Sequence, residues 1–258
     1  MPFPNKGENH SNGIKNEKDI VNHLNSNPEN SITKHLSESC GSKIISFKHE
    51  GGTKQKMDAS YSLDCGKKKG LSIKHHKNGT FDWVNTTKGV PPDLKSEITE
   101  FKKKNYNTPI PKKGGLRDEC NDIFSNYLDK LSNENISELL SKIKGAEENT
   151  DYIIINVTKK KQLIMIHESN LDKHCIPNHN FILKSTPRAR TSRQIWIKCE
   201  DGSEINTNMR IRLHLNNGIT ALLGYSSKNK SSVPCLKIQQ DNVDTFIGDC
   251  FGKVSTNY

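Results

Sequence analysis

The 258-residue chain has no apolar run approaching the length, about 18 residues, that would cross a bilayer. It is also short of hydrophobic side chains (31%) and of aromatics (6%), and its mean hydropathy is −0.78. No membrane span is expected from such a chain. Apolar segments nevertheless recur along it, which argues against wholesale disorder. The opening Met1-Pro2-Phe3-Pro4-Asn5 lacks the basic-then-apolar pattern of a secretory leader, so none is expected. The seven cysteines are odd in number, scattered, and contain no C-x-x-C pair. That argues against a disulfide framework or a zinc ribbon and points to reduced thiols in a cytoplasm. Acidic residues are the scarce charge, with 29 against 39 Lys and Arg, a net charge of +10 and a pI near 9.2. A surplus of this size suits a polyanionic partner. It is concentrated late in the chain, where ten basic residues face three acidic ones between Phe181 and Gln240.

The spacing of Ile14, Ile20, Val21 and Leu24 predicts a helix over residues 14–25, and Ile32 with Leu36 predicts a second, short one. From Lys43 the texture changes to strand-like runs: Lys43-Ile44-Ile45-Ser46-Phe47, then Asp58-Ala59-Ser60-Tyr61-Ser62-Leu63, then Leu71-Ser72-Ile73-Lys74. The last two are joined by the turn Cys65-Gly66-Lys67-Lys68-Lys69-Gly70 and read as a hairpin. Residues 88–115, rich in Pro, Gly and Lys, read as a long surface connection that orders on its ligand. Helices are expected over 117–131 and around Ile136 to Ile143, and strands at 152–157 and 162–166. Further strands are expected at 194–199, 209–215, 219–223 and 235–238. The fold class is α/β, with a strand-rich basic part behind.

One constellation carries chemistry. In the strand ending Ser72-Ile73-Lys74, residues 72 and 74 share a face, and the hairpin brings Asp58 beside them. Phosphodiester hydrolysis needs a cation to neutralise the phosphate and supply hydroxide, and a positive group to orient the attacking water. Asp58 would hold Mg²⁺, the Ile73 carbonyl would add an oxygen, and Lys74 would position the water. The His167, Glu168, His174, Cys175 and His179 cluster has no standard zinc spacing. An HNH-type reading of His75 and His76 lacks its downstream metal-binding His.

The segment Lys56-Met57-Asp58-Ala59-Ser60…Leu71-Ser72-Ile73-Lys74-His75 resembles the active site of the MspI-type restriction endonucleases of the PD-(D/E)xK superfamily, which read Asp-Ala-Thr…Asn-Ile-Lys-His there. Gly13-Ile14-Lys15-Asn16-Glu17-Lys18-Asp19-Ile20 resembles the opening helix of the related HinP-type enzymes. Tyr225-Ser226-Ser227-Lys228…Leu236-Lys237-Ile238-Gln239 resembles the closing strand of both. The resemblance implies one endonuclease domain, with a catalytic core over about 12–166 and a DNA-recognition part over about 181–240. It implies a mixed sheet flanked by helices, Mg²⁺ dependence, and cleavage of double-stranded DNA within a short palindrome of four bases. A methyltransferase of matching specificity would be the genetic partner, and the enzyme would act as monomer or homodimer. Asp58 matches the metal-binding Asp, Lys74 the catalytic Lys, and Glu17 an acidic helix position that supports the metal. Ser72 stands where the superfamily has Asp or Glu and the close relatives have Asn or Gln, so a second metal contact there would be neutral or pass through water.

For DNA contact the sequence offers Arg188, Arg190 and Arg193, whose planar forks suit guanine or phosphate. His75, His76 and Lys77 follow the catalytic strand. Tyr225, Ser226, Lys228, Lys230, Lys237 and Gln239 lie where the relatives carry groove-reading residues. The relatives have Gln then Lys where this chain has Lys237 then Gln239, so their recognition sequence does not transfer. Two rival readings stay open. One is a mismatch or repair nicking endonuclease on the same fold, and the other is a DNA-binding protein inactivated at Ser72.

Overall fold

A computed structural model describes residues 6–51, 57–76, 79–87, 89–109, 115–141, 150–167, 180–186, 189–225, 231–241 and 253–257. In chain order the elements are α1 (Lys6–Ser26), α2 (Ser31–Cys40), β1 (Ile44–His49), β2 (Ala59–Leu63), β3 (Lys68–His76), β4 (Thr80–Thr86), α3 (Pro92–Asn105), α4 (Leu116–Asp129) and α5 (Asn133–Ser141). There follow β5 (Thr150–Val157), β6 (Gln162–His167), β7 (Asn180–Ser185), β8 (Ser192–Lys198), β9 (Glu204–Leu215), α6 (Gly218–Leu222), β10 (Pro234–Asp241) and β11 (Lys253–Asn257). The class is α/β, with mixed β structure and helices. The chain divides into two compact units. Met1–Phe81, Lys144–Ile176 and Asn242–Tyr258 form the first, and Asp82–Ile143 with Pro177–Asp241 the second.

The first unit holds a six-stranded mixed sheet in the order β1-β2-β3-β5-β6-β11. All neighbours are antiparallel except β3 and β5, which run parallel. Strand alternation sends Ala59, Tyr61, Leu63, Leu71, Ile73, Tyr152, Ile154, Leu163 and Met165 to one face. There they are buried with Ile20, Val21 and Leu24 of α1 and Ile32 and Leu36 of α2. The start of α2 is set by Asn30, whose side chain accepts from Thr33 N at 2.9 Å, and its end by Gly41 in the left-handed region. β1 is an edge strand, and an open edge invites mispairing. Asn25 of α1 closes part of it: its Oδ1 accepts from Phe47 N at 2.8 Å and its Nδ2 donates to Phe47 O at 2.9 Å.

The second unit holds a five-stranded sheet in the order β4-β10-β9-β8-β7, in which β10, β9, β8 and β7 are antiparallel. α4 and α6 pack on β9, α4 also on β8, and α5 on β7. Residues 92–105 are a helix, which corrects the expected surface connection over 88–115. Pro92 sits in the first helical turn, where its missing N–H costs nothing. Leu94, Ile98 and Phe101 recur at helical spacing and are buried, while Lys103 and Lys104 face outward. Lysine-rich composition had masked that stripe. The expected strand at 219–223 is instead α6, with Ile219, Ala221 and Leu222 buried. So short an apolar run has no period that separates helix from strand.

Replacing Asn25 with Ala should lower unfolding stability by about 1–2 kcal/mol, because Phe47 loses two bonds at a partly buried edge. Leu36→Ala, in the fully buried helix face, should cost about 2–5 kcal/mol. Both are read from urea midpoints at unchanged slope.

Candidate active site

The site is set by where β2 begins. Gly66, at φ 81°, turns the chain between β2 and β3 in a conformation other residues resist. The hairpin pairs Ala59 with Leu71 and Ser60 with Gly70. A slip of one residue would send Ser72 and Lys74 to the opposite face. β3 runs on beyond the last β2 partner, so among the described residues Ile73 meets no strand residue on that side. Asp58 takes the place: its Oδ2 accepts from Ile73 N at 2.7 Å and from Ser72 Oγ at 3.2 Å, while its own N–H donates to Leu71 O at 3.2 Å. The N–H and C=O of one strand residue leave toward the same neighbour, so the Ile73 carbonyl lies on the Asp58 side. Oδ1 of Asp58 has no hydrogen-bond partner among the described residues. Lys74 is half-buried, shares the Ser72 face, and makes no ion pair among the described residues.

Glu17 enters from α1. Helix and sheet are tied beside it by a buried bond from Asn156 Nδ2 of β5 to Asn16 Oδ1 at 2.6 Å. Glu17 Oε2 pairs with His49 Nε2 at 2.8 Å. Gly51 passes over that pair so closely that a Cβ would lie 2.7 Å from Glu17 Oε2 and 2.8 Å from His49 Nε2, so a larger residue there would have to displace one of them. Burial pushes the Glu17 carboxyl above its ordinary range. The His49 bond opposes the rise, the negative charge of Asp58 adds to it, and the charges of His49 and Lys74 pull it down. Asp58, Glu17 and Lys74 therefore feel one another.

Among the described residues no three His, Cys, Asp or Glu side chains converge as a cage for a metal. The donor set here is different in kind: two carboxylates that repel, with a main-chain carbonyl alongside. Those are hard oxygens around excess negative charge, and they fit Mg²⁺. Ser72 uses its hydroxyl proton on Asp58, which makes it an orienting group for that carboxylate. The nearby Glu50 is engaged elsewhere. The Lys68 and Ser60 hydrogen bonds hold its carboxyl below the ordinary range.

The expected DNA-contacting residues fare unevenly. Lys77, Arg188, Ser226, Lys228 and Lys230 lie outside the described residues, as do Glu168, His174, Cys175 and His179. His75 is half-buried, with Nε2 at 2.8 Å from Thr158 Oγ1. His76 is buried edge-on against Phe81. Arg193 is 4% exposed and joins β8 to α4, donating to Asp129 Oδ1 at 2.8 Å and to Ser125 Oγ at 2.8 Å. Arg190 is exposed and pairs with Asp118 and Asp122. Tyr225 is exposed, just beyond α6. Lys237 and Gln239 both hold Asp82 of β4, at 2.8 and 2.9 Å. Sequence reasoning missed His49, Asn16, Asn156 and Asp82. Their partners lie between 32 and 157 residues away, beyond any local pattern.

Comparison with known protein families, with curated proteins and with solved structures gives no match.

A raised native pKa on Glu17 means that its contribution to stability is full below the unfolded value of 4.5 and is lost as pH rises through the native value. The share of stability that Glu17 contributes to the metal-free protein should therefore fall as pH rises from about 4.5, so the stability difference between the wild-type chain and Glu17→Gln should shrink or reverse over that rise. Millimolar Mg²⁺ or Ca²⁺ should raise the Tm of the wild-type chain near neutral pH, less so with Glu17→Gln and not at all with Asp58→Ala. Differential scanning fluorimetry against pH and cation reads all three.

Proposed function

We propose that the chain is a Mg²⁺-dependent site-specific endonuclease with a PD-(D/E)xK-type core, acting as a type II restriction enzyme on a short palindrome in double-stranded DNA. The observation that carries this reading is the Asp58 carboxylate, just before β2, fixed against Ile73 N of β3, with Lys74 following Ile73 on β3 and Glu17 within electrostatic reach. Asp58, the Ile73 carbonyl and Glu17 would hold the cation, which when bound neutralises the scissile phosphate and lowers the pKa of water. Ser72 keeps Asp58 aimed. The Lys74 ammonium holds the attacking water and opposes the charge that builds on the phosphoryl oxygens. Water adds to phosphorus as the bond to the 3′ oxygen breaks, and that oxygen leaves with a proton. The ends are a 5′ phosphate and a 3′ hydroxyl. A methyltransferase of the same specificity would shield the host genome, and the enzyme would work in the cytoplasm as monomer or homodimer. The basic charge and the alternating polar side chains of β10 support duplex DNA as substrate.

Ser72, a neutral hydroxyl where an acid would strengthen the cation site, favours one second reading: a DNA-binding protein that does not hydrolyse.

Unmethylated phage DNA incubated with the protein should yield discrete fragments with Mg²⁺ and none with EDTA. Lys74→Ala should cut at least about a hundredfold more slowly while still shifting DNA in a gel. Retained binding with no cleavage by the wild-type chain would move the assignment to the non-hydrolytic reading. Single-strand nicks confined to mismatches would move it to a repair enzyme.

A further inference from the structure

The five-stranded sheet of the second unit turns one face to its helices and the other away. Arg193, paired with Ile211 across β8 and β9, reaches α4, so α4 covers the face that carries Ile211. Met209, Ile211 and Leu213 are buried on that face, and Arg210 and Arg212 alternate to the other. On β10, Leu236, Ile238 and Gln240 are buried, and Lys237 and Gln239 stand opposite Arg212 and Arg210. Register carries the row further. Gln194 of β8 pairs with Arg210, and Lys184 of β7 pairs with Gln194. A line of polar side chains thus crosses the sheet from Lys184 through Gln194 and Arg210 to Gln239, with Asp82 next on β4.

The chemistry of this face is not that of an ordinary solvated sheet. Asp82 grips two neighbours at once, Lys237 Nζ with Oδ2 at 2.8 Å and Gln239 Nε2 with Oδ1 at 2.9 Å. The grip fixes the Gln239 amide, leaving its second N–H and its Oε1 as one donor and one acceptor. That pair matches the major-groove edge of adenine. Beside it Arg212 is exposed, with no carboxylate within 4 Å among the described residues, and its fork suits guanine or a phosphate. Other polyanions fit less well. The major groove of an RNA duplex is too narrow for side chains to read. Single strands need open aromatic platforms, and the Trp196 ring on this face is covered by the Lys184 ammonium at 3.9 Å.

We propose that this face of the five-stranded sheet reads base edges of duplex DNA, with Arg212 and Gln239 in contact and Asp82 as the positioning residue that aims Gln239 and Lys237. The proposal rests on duplex DNA being the substrate, and it adds Asp82 and Arg212 to the residues that decide which sequence is bound.

The test uses the full chain in EDTA, so that cleavage plays no part. A randomised duplex pool is selected for binding, and affinities are then measured by fluorescence anisotropy on the selected duplex and on a scrambled one. Arg212→Ala should weaken binding to the selected duplex at least tenfold. Asp82→Asn should not weaken binding to the scrambled duplex, because it removes a negative charge and frees Lys237, while reducing the preference for the selected one at least tenfold, and Asp82→Asn with Gln239→Ala should be no worse in preference than either alone. If the pool yields no preferred sequence, if single strands or duplex RNA compete equally, or if both folded variants bind as the wild type does, the proposal fails. Mg²⁺ digests of the same proteins separate the two readings. Site-specific cleavage undiminished by Arg212→Ala sinks the sheet face and leaves the nuclease. Arg212-dependent selective binding with no cleavage does the reverse.

Discussion

β3 continues past the end of β2, and a carboxylate fills the place that a further strand residue would have taken. A buried amide left without an acceptor costs about 1–3 kcal/mol, so the Ile73 N–H demands a partner there. Asp58 answers that demand with one oxygen, and the other has no hydrogen-bond partner among the described residues. The same atom group therefore closes a gap in the sheet and builds the site. The arrangement also explains why the main-chain carbonyl of Ile73 becomes available at that spot and not one residue earlier or later. Register, turn geometry and the Asn16–Asn156 tie all serve to hold this one junction in place.

Charge is organised differently in the two units. In the first, burial raises the Glu17 carboxyl most, the charge of Asp58 adds to the rise, and His49 and Lys74 oppose it. In the second, the acids come from far along the chain and engage the surplus cations: Asp129 with Arg193, Asp118 and Asp122 with Arg190, Asp82 with Lys237, Asp241 with Arg210. Ten basic residues against three acidic ones in a linear window thus overstate the cations open to a ligand. The pairing leaves fixed, aimed side chains in place of a loose cationic cloud, and aim matters more than charge for telling one base from another.

The sequence made legible what depends on short spacing. The two N-terminal helices, the hairpin and the junction of Asp58 with Ser72 and Lys74 follow from local period and one turn. Elements whose pattern was diluted were harder to see. The stripe of Leu94, Ile98 and Phe101 lay hidden among lysines, and five residues at 218–222 were too few to show a period. β4, with alternating Phe81 and Trp83 buried, carries the period of a strand in its sequence. Arg193 shows the limit from the other side. Its identity and flanking turn suit a groove-reading arginine, and only its tertiary partners on α4 reveal it as a packing anchor.

The six-stranded sheet is written in three separate stretches of chain, with 73 residues between His76 and Thr150 and another 85 between His167 and Lys253. A ribosome delivers β1, β2 and β3 early, and then α3, α4 and α5 of the second unit before β5 can dock in parallel on β3. Such distant pairings are slow to form. The hairpin bearing Asp58 and Lys74 is complete long before the strand that fixes its far edge, and the partner of Asn16 arrives with that strand. Completion of this frame is therefore gated by synthesis: a nascent chain carries Asp58, Ser72 and Lys74 through the making of α3, α4 and α5 before the strand beside them exists.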